Sequence, residues 1–279
     1  CIRDRLLQLG LKVVLSSKNI PDSKGINAYL RDKSFSKLLE YYCGKELFEQ
    51  VEKKFIELGE IVGSELEELA LSADKNPPKL KKRSRVGELS NDIEKHPDFI
   101  KIEKFAFEKF GLAAMSHRHG VFGMQQPLPP IVKYGLTFLF VQSEFGLCCP
   151  LSMTDSLTRT LTKFGDKKLI EQFFDQLTSQ DLDHLFQGAM FMTEQHAGSD
   201  VGSIDTYAEY EDGNWFLTGD KWFCSNPDAD LAMVLARHNK KISGTKGLAL
   251  FLLPKKLENG DLNNYEIIRL KDKLGGRSF

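Results

Sequence analysis

Apolar residues recur every three or four positions from Leu47 through Val51, Phe55, Leu58, Val62 and Leu66 to Leu69. That spacing lines them up on one stripe and predicts a single amphipathic helix. Asn76-Pro77-Pro78 closes it, because proline lacks the amide hydrogen and restricts the residue before it. The next stretch, Lys79 to Glu94, is polar and predicts a solvated surface loop. A further helix starts at Pro97, where proline suits the first turn, and carries Phe99, Ile102, Phe105, Ala106 and Phe110. Pro127, Pro129 and Pro130 mark another boundary. Beyond them, about Ile131 to Phe145 is apolar on nearly all sides and predicts a helix at the centre of a bundle. Two shorter helices follow. Thr154 or Asp155 is placed to cap one that holds Leu157, Leu161 and Phe164, and Asp166 to cap one that holds Leu169, Ile170, Phe173 and Leu177.

Near Gln187 the period changes from helical to strand-like. Short runs at Asp205–Glu211, Asn214–Leu217, Leu231–Arg237, Gly247–Leu253 and Tyr265–Leu270 predict strands. Asp212-Gly213 between the first two is a strong hairpin signal, since both residues tolerate a positive φ. Helices first and strands afterwards predict an α+β fold with two segregated units, residues 1–185 and 186–279. Neither an internal repeat nor a G-x-G-x-x-G fingerprint occurs, which speaks against a Rossmann nucleotide site.

Composition narrows the function classes. The 279 residues carry a formal net charge of −1, so no overall field draws the protein to nucleic acid or to an anionic membrane. The most apolar stretch, Gly135 to Met153, is interrupted by Gln142, Ser143, Glu144 and Pro150, too soon for a membrane span. The opening CIRDRLLQLG lacks the long apolar core and cleavage site of a signal peptide. It also begins on Cys1 rather than Met, so further residues are expected ahead of it; a cytoplasmic or mitochondrial location fits, with no targeting signal in view. Cys1, Cys43, Cys148, Cys149 and Cys224 are odd in number and form no C-x-x-C pair, which argues against a disulfide framework and a zinc site.

The candidate chemistry lies at the junction of helices and strands. Gly188-Ala-Met-Phe-Met-Thr-Glu-Gln-His-Ala-Gly-Ser-Asp-Val201 is followed by Thr218-Gly-Asp-Lys-Trp-Phe-Cys-Ser-Asn226. Gly198-Ser199-Asp200 is a small polar loop whose backbone N–H groups can approach phosphate. Thr193, Ser199 and Ser225 offer hydroxyls, and Phe223 offers an aromatic face. An isoalloxazine ring needs that set: donors and acceptors along its edge, an apolar cover over its face.

MTEQHAGSDV and TGDKWFCSN, then Leu270-Lys-Asp-Lys-Leu-Gly-Gly-Arg-Ser278, resemble three motifs of the acyl-CoA dehydrogenase family in the family's order and spacing. Asn76-Pro-Pro78 and Gly146-Leu-Cys-Cys-Pro150, leading to Ser152-Met-Thr154, resemble its AidB-like branch. The likeness runs from about residue 70 onward. It implies an N-terminal helical domain, a β-barrel middle domain and FAD as cofactor, with the family's C-terminal four-helix domain absent from these residues. It implies a reaction in lipid metabolism, the α,β-desaturation of an acyl-CoA with hydride passing to flavin N5. Met190, Phe191 and Met192 would line the flavin, largely through backbone groups, and Thr193 would bond the pyrimidine edge. Ser199 would sit where FAD and the CoA moiety approach. Phe223 stands where many relatives place a Trp against the ring, and Ser225 matches the hydroxyl facing N5. Lys271 to Ser278 would form a later barrel strand and its turn. The family's catalytic Glu would lie beyond Phe279, and a homodimer or homotetramer is implied for the full-length protein.

Other features carry competing readings. Lys79, Lys81, Lys82, Arg83 and Arg85 form a solvated stretch, with contact to nucleic acid or CoA phosphate as the functional alternative. The AidB-like branch includes members linked to DNA protection, so a flavin- or acyl-CoA-binding protein associated with DNA is the second reading, and an acyl-CoA oxidase a third. Glu194 and His196 invite an acid/base assignment, but the resemblance implies that Glu194 belongs to the loop's own hydrogen bonding, and His196 departs from the family's usual small or proline residue. Cys148-Cys149 reads as small buried residues at a helix end. His117 and His119, two apart and without a carboxylate in view, give no metal site.

Overall fold

The computed structural model describes residues 22–279. Cys1 and the opening segment scanned for a signal peptide lie outside the described residues.

Helices build the first part: α1 (Lys33–Cys43), α2 (Lys45–Val62), α3 (Glu65–Lys75), α4 (Pro97–Glu103), α5 (Pro130–Phe140), α6 (Cys148–Phe164) and α7 (Lys167–Leu177). The long stripe predicted as one helix is split between α2 and α3 at Gly63-Ser64. Leu66 and Leu69 still face the core, so the apolar rhythm crosses the break unchanged. The break exists because another segment lies against it. The carbonyl of Ile26 sits where a Cβ on Gly63 would go, and the Gly25 N–H donates to the Gly63 carbonyl at 2.7 Å.

Pro97 opens α4 as predicted, and the chain then widens into a π turn over Lys104–Lys109, with the Phe110 N–H reaching back to the Phe105 carbonyl. α5 ends at Phe140, short of Phe145, and is not buried on every side: Tyr134 and Phe138 are exposed while Val132, Leu136 and Leu139 are buried. Beyond it, Glu144 turns back and accepts the N–H groups of Gly146 and Leu147 at 2.9 and 2.6 Å. α6 therefore begins at Cys148, earlier than Thr154 or Asp155 would have started it.

Both of those residues lie inside α6 and serve other contacts. Thr154 Oγ1 accepts the Gly188 N–H at 2.9 Å, and Asp155 accepts from Lys133 at 2.7 Å and pairs with His117 at 2.7 Å. Burial pushes the Asp155 carboxyl up, but the His117 and Lys133 bonds outweigh it and the net shift is downward. His117 thus does have a carboxylate partner, contrary to expectation. The lysine on its second oxygen makes the group an ion cluster rather than a ligand set. Asp166 caps α7 as predicted, accepting the Leu169 N–H at 2.9 Å.

The strands are β1 (Lys79–Arg83), β2 (Leu89–Glu94), β3 (Gly188–Phe191), β4 (Tyr207–Glu211), β5 (Asn214–Thr218), β6 (Leu231–Arg237) and β7 (Leu248–Pro254). β1 and β2 form an antiparallel hairpin where a loop was predicted. Its side chains are mostly exposed, so no buried face betrays it in the sequence.

The main sheet is ordered β3-β6-β4-β5, with β7 on the other side of β6. β6 pairs parallel with β3 and antiparallel with β7. Asp212 and Gly213, at φ 49° and 85°, make the tight turn between β4 and β5.

The sheet is open rather than the closed barrel implied by the family likeness. Tyr265–Leu270 and Lys271–Ser278 form no strand. In their place the Asn91 side chain does a strand's work: its Nδ2 donates to the Tyr265 carbonyl at 2.7 Å and its Oδ1 accepts the Ile267 N–H at 2.9 Å.

Alternation along the strands divides the sheet's two faces. Leu231, Met233 and Met190 pack against Leu157, Leu161, Phe173 and Leu177 of α6 and α7. Ala189, Phe191, Ala232 and Val234 turn the other way. That second face borders a cleft of about 2980 Å³, which residues of the tail beyond residue 254 also line.

Candidate functional site

Two segments far apart in sequence meet at the edge of this cleft. The first leaves β3 as Met192-Thr193 and turns tightly: the N–H groups and carbonyls of Glu194 and Ala197 exchange bonds at 3.0 and 3.1 Å. The turn brings Gly198 against Thr193, where a Cβ on the glycine would lie 3.7 Å from Thr193 Cγ2. The second segment, Gly219 to Asn226, is laid beside it by contacts from three of its residues. The Trp222 N–H donates to the Thr193 carbonyl at 2.8 Å. Lys221 Nζ donates to the Met192 carbonyl at 3.2 Å and to Glu194 Oε1 at 2.8 Å. Asn226 Nδ2 donates to the Gly188 carbonyl at 3.2 Å.

Glu194 is the hub of this stitching. It is buried and accepts from the backbone N–H groups of Asp205 and Thr206, from the Thr206 hydroxyl, and from Lys221. Burial alone would push its carboxyl up. The lysine and the converging donors outweigh that and hold it at about 2. A carboxylate so fully bonded is a poor proton acceptor, so its place is in the loop's own hydrogen bonding.

Glu194, His196 and Asp205 also bring ligand-type atoms within 4.8 Å of one another. The Lys221 ammonium already sits on Glu194, which makes the spot a completed ion pair. Lys221 is the site residue that sequence reasoning missed. Its only signal was a lone lysine beside Trp222, opposite an acidic loop.

The residues singled out from sequence fall into three groups. Phe191, Phe223 and Ser225 line the cleft, together with Trp222. Phe223 is exposed and held at φ 56°, a left-handed backbone that bulky residues seldom adopt and that clusters at functional sites. Its ring lies 5.6 Å from that of Trp222, and Lys271 Nζ and the Arg269 guanidinium stand 4.3 and 5.4 Å over the two rings.

Met190, Met192 and Thr193 form the second group. Met190 turns its side chain toward α6 and α7, opposite to Phe191, and none of the three is among the cleft-lining residues. The Met192 and Thr193 carbonyls are already bonded to Lys221 and Trp222. What this pair can still offer is its N–H groups and the Thr193 hydroxyl.

Ser199 stands apart on an exposed loop and is not among the cleft-lining residues. Asp200 shapes that loop, accepting the Gly202 N–H at 3.0 Å and the Ser203 hydroxyl at 2.6 Å.

Flat aromatic faces, unspent hydroxyls and N–H groups, and cations over the rings fit a planar ligand with a polar edge and an anionic tail. The nearby thiols do not compete as nucleophiles: burial pushes Cys224 up to about 11 and Cys148 up to about 12. Elsewhere, two of the five cations of the basic hairpin, Lys81 and Lys82, are paired with Glu94 and Glu266 at 3.1 and 3.0 Å. Among the described residues no helix is long and apolar enough to cross a membrane.

Residues 19–184 match the family described as adaptive response protein AidB N-terminal domain, and residues 189–279 match the acyl-CoA dehydrogenase middle domain. Over 262 residues the chain is 31% identical to acyl-CoA dehydrogenase family member 11 of Caenorhabditis elegans, covering 91% of this chain and 42% of that protein. Over 229 residues it is 31% identical to AidB of Escherichia coli (strain K12), covering 76% and 39%. The fold superposes on the crystal structure of Caenorhabditis elegans ACDH-11 in complex with C11-CoA with a TM-score of 0.80 at 28% identity, covering 97% of this chain and 47% of that one. The chain spans less than half the length of each of these relatives.

Proposed function

Because the chain belongs to the acyl-CoA dehydrogenase family, in its AidB-like branch, we propose that it supplies the helical and flavin-gripping parts of an FAD-dependent enzyme that desaturates an acyl-CoA thioester. The two units are residues 1–185 and 186–279, and the working form is a homodimer or homotetramer.

One observation carries the reading: the stitching of Trp222 to Thr193 and of Lys221 to Met192 and Glu194. It brings the Phe223–Ser225 segment to the cleft wall beside the Thr193 turn. FAD, when bound, would accept the hydride that leaves the β-carbon.

The chain's own residues would bind and orient. Phe191 and Phe223 cover an apolar face and exclude water. Thr193 and Ser225 offer hydroxyls to the polar edge. Met190 and Met192 contribute N–H groups, and Ser199 meets the CoA side. Glu194 and Lys221, each spent on the other, keep the two segments in register. The proton-abstracting carboxylate is assigned outside these 279 residues. The chain alone is therefore proposed to hold FAD weakly and not to turn over.

Equilibrium dialysis against excess FAD tests this. Saturable binding should appear and weaken about three- to tenfold in Phe223→Ala, the range of one aromatic contact. A chain that takes up no FAD at any concentration would remove the cofactor assignment. Rapid dye-coupled oxidation of acyl-CoA by the chain alone would overturn the placement of the base.

A further inference from the structure

Arg237 closes β6 and takes no part in the stitching described above. Its Nη2 donates to the Gly202 carbonyl at 2.6 Å, and its Nη1 donates to the carbonyls of Ile242 at 2.7 Å and Gly244 at 3.2 Å. All three acceptors are backbone groups, on two loops outside the sheet ladder. One is the Ser199 loop, ending in a short 3-10 turn at Val201–Ser203. The other runs from His238 to Gly247 and ends in a 3-10 turn at Thr245–Gly247.

The packing around the guanidinium is tight. A Cβ on Gly202 would lie 3.1 Å from the Gly244 Cα, and one on Gly247 would lie 2.8 Å from Arg237 Nη1. Small residues stand where the two loops and the side chain converge. The base of the fork is fixed as well, because the Arg237 N–H donates to the Thr206 carbonyl at 2.8 Å and its neighbour on β4 is Tyr207. Thr206 is also bonded to Glu194. The clasp is thus continuous with the Thr193 turn.

We infer that Arg237 is a positioning residue for the Ser199 loop, setting the height at which that loop meets the cofactor and the CoA moiety. A planar, permanently charged fork suits this task. It can hold carbonyls on two strands of chain at once, which a lysine ammonium on a flexible stem does less well. This role rests on the cofactor reading above, in which Ser199 faces the ligand.

The test uses Arg237→Gln and the milder Arg237→Lys, with Lys240→Ala as control. Lys240 lies on the same second loop but pairs with Glu209 at 2.9 Å. Amide hydrogen exchange should quicken at residues 198–204 and 242–247 in Arg237→Gln and less so in Arg237→Lys. β6 and β7 should stay protected, and Lys240→Ala should match the parent.

In parallel, affinity for FAD and for a non-reactive acyl-CoA thioether should fall about tenfold in Arg237→Gln, with a smaller loss in Arg237→Lys. Unchanged exchange in both loops would overturn the clasp whatever the ligands do. Faster exchange with unchanged affinity would reduce Arg237 to a structural residue and overturn the positioning role. If the parent chain binds neither FAD nor the thioether, the cofactor reading fails first and the positioning role falls with it, while the exchange data still report on the clasp.

Discussion

The helical half and the sheet half are held by different forces. In the helical half, Phe55, Phe99, Phe110 and Phe140 are at most 1% exposed and share one continuous core. In the sheet half, the cleft-facing surface is made largely of alanines with Phe191 and Val234, and Trp215 and Phe216 remain 51% and 54% exposed. Its loops are held by Glu194, Lys221, Asn226 and backbone donors. Apolar burial is non-directional and nearly blind to pH. Bonds to a buried carboxylate are directional and depend on its charge. The half that carries the candidate site is therefore the half that can be set and upset by single polar groups.

The contrast can be broken from either side. The largest effect is expected from Phe55→Ala, which should cost about 3–5 kcal/mol, the range for deleting a buried aromatic ring. Circular dichroism would follow the helices in such a variant. Both tryptophans, Trp215 and Trp222, lie in the sheet half and report on it separately. A shared midpoint for the two signals would show that α6, packed on β3, makes one cooperative unit of the halves; separate midpoints would divide them.

Glu194→Gln comes next. It keeps the shape, takes the counter-charge away from Lys221 and should cost about 1.5–3 kcal/mol in urea unfolding. The carboxyl titrates near 4.3 when unfolded and is held at about 2 when folded. Its stabilisation is therefore complete above about pH 4.3 and is lost as pH falls toward about 2. The variant should lose stability less steeply than the parent across that window; identical slopes would refute the assignment.

Asn91→Ala should cost about 1–2 kcal/mol, for two bonds to the tail. It should quicken exchange at residues 265–267 first. The smallest effects belong to Lys81→Ala and Lys82→Ala, about 0–1 kcal/mol each, because those ion pairs are exposed.

Much of the fold was legible wherever one residue decides a local outcome. Pro97 and Asp166 start their helices, and Asp212-Gly213 makes its turn. β6 spans Leu231–Arg237 as its apolar run predicts. What was missed depends on partners distant in sequence. The break at Gly63 follows from a segment near residue 26. Tyr265–Leu270 has strand-like residues but gives its bonds to Asn91, so the alternation misleads. At the site, the motifs located Phe191, Phe223 and Ser225 on the cleft. Strand parity sends the Met190 side chain to the opposite face, and only three-dimensional pairing reveals what Lys221 does.

The β1–β2 hairpin is anchored midway along β2, through Asn91, while its turn from Ser84 to Glu88 is exposed throughout. Such a turn accepts foreign sequence readily. A peptide epitope or a fluorophore-binding tag spliced between Val86 and Gly87 would extend from the surface without entering either core. The protein could then be immobilised or imaged from a point that touches none of the groups argued to hold its ligand.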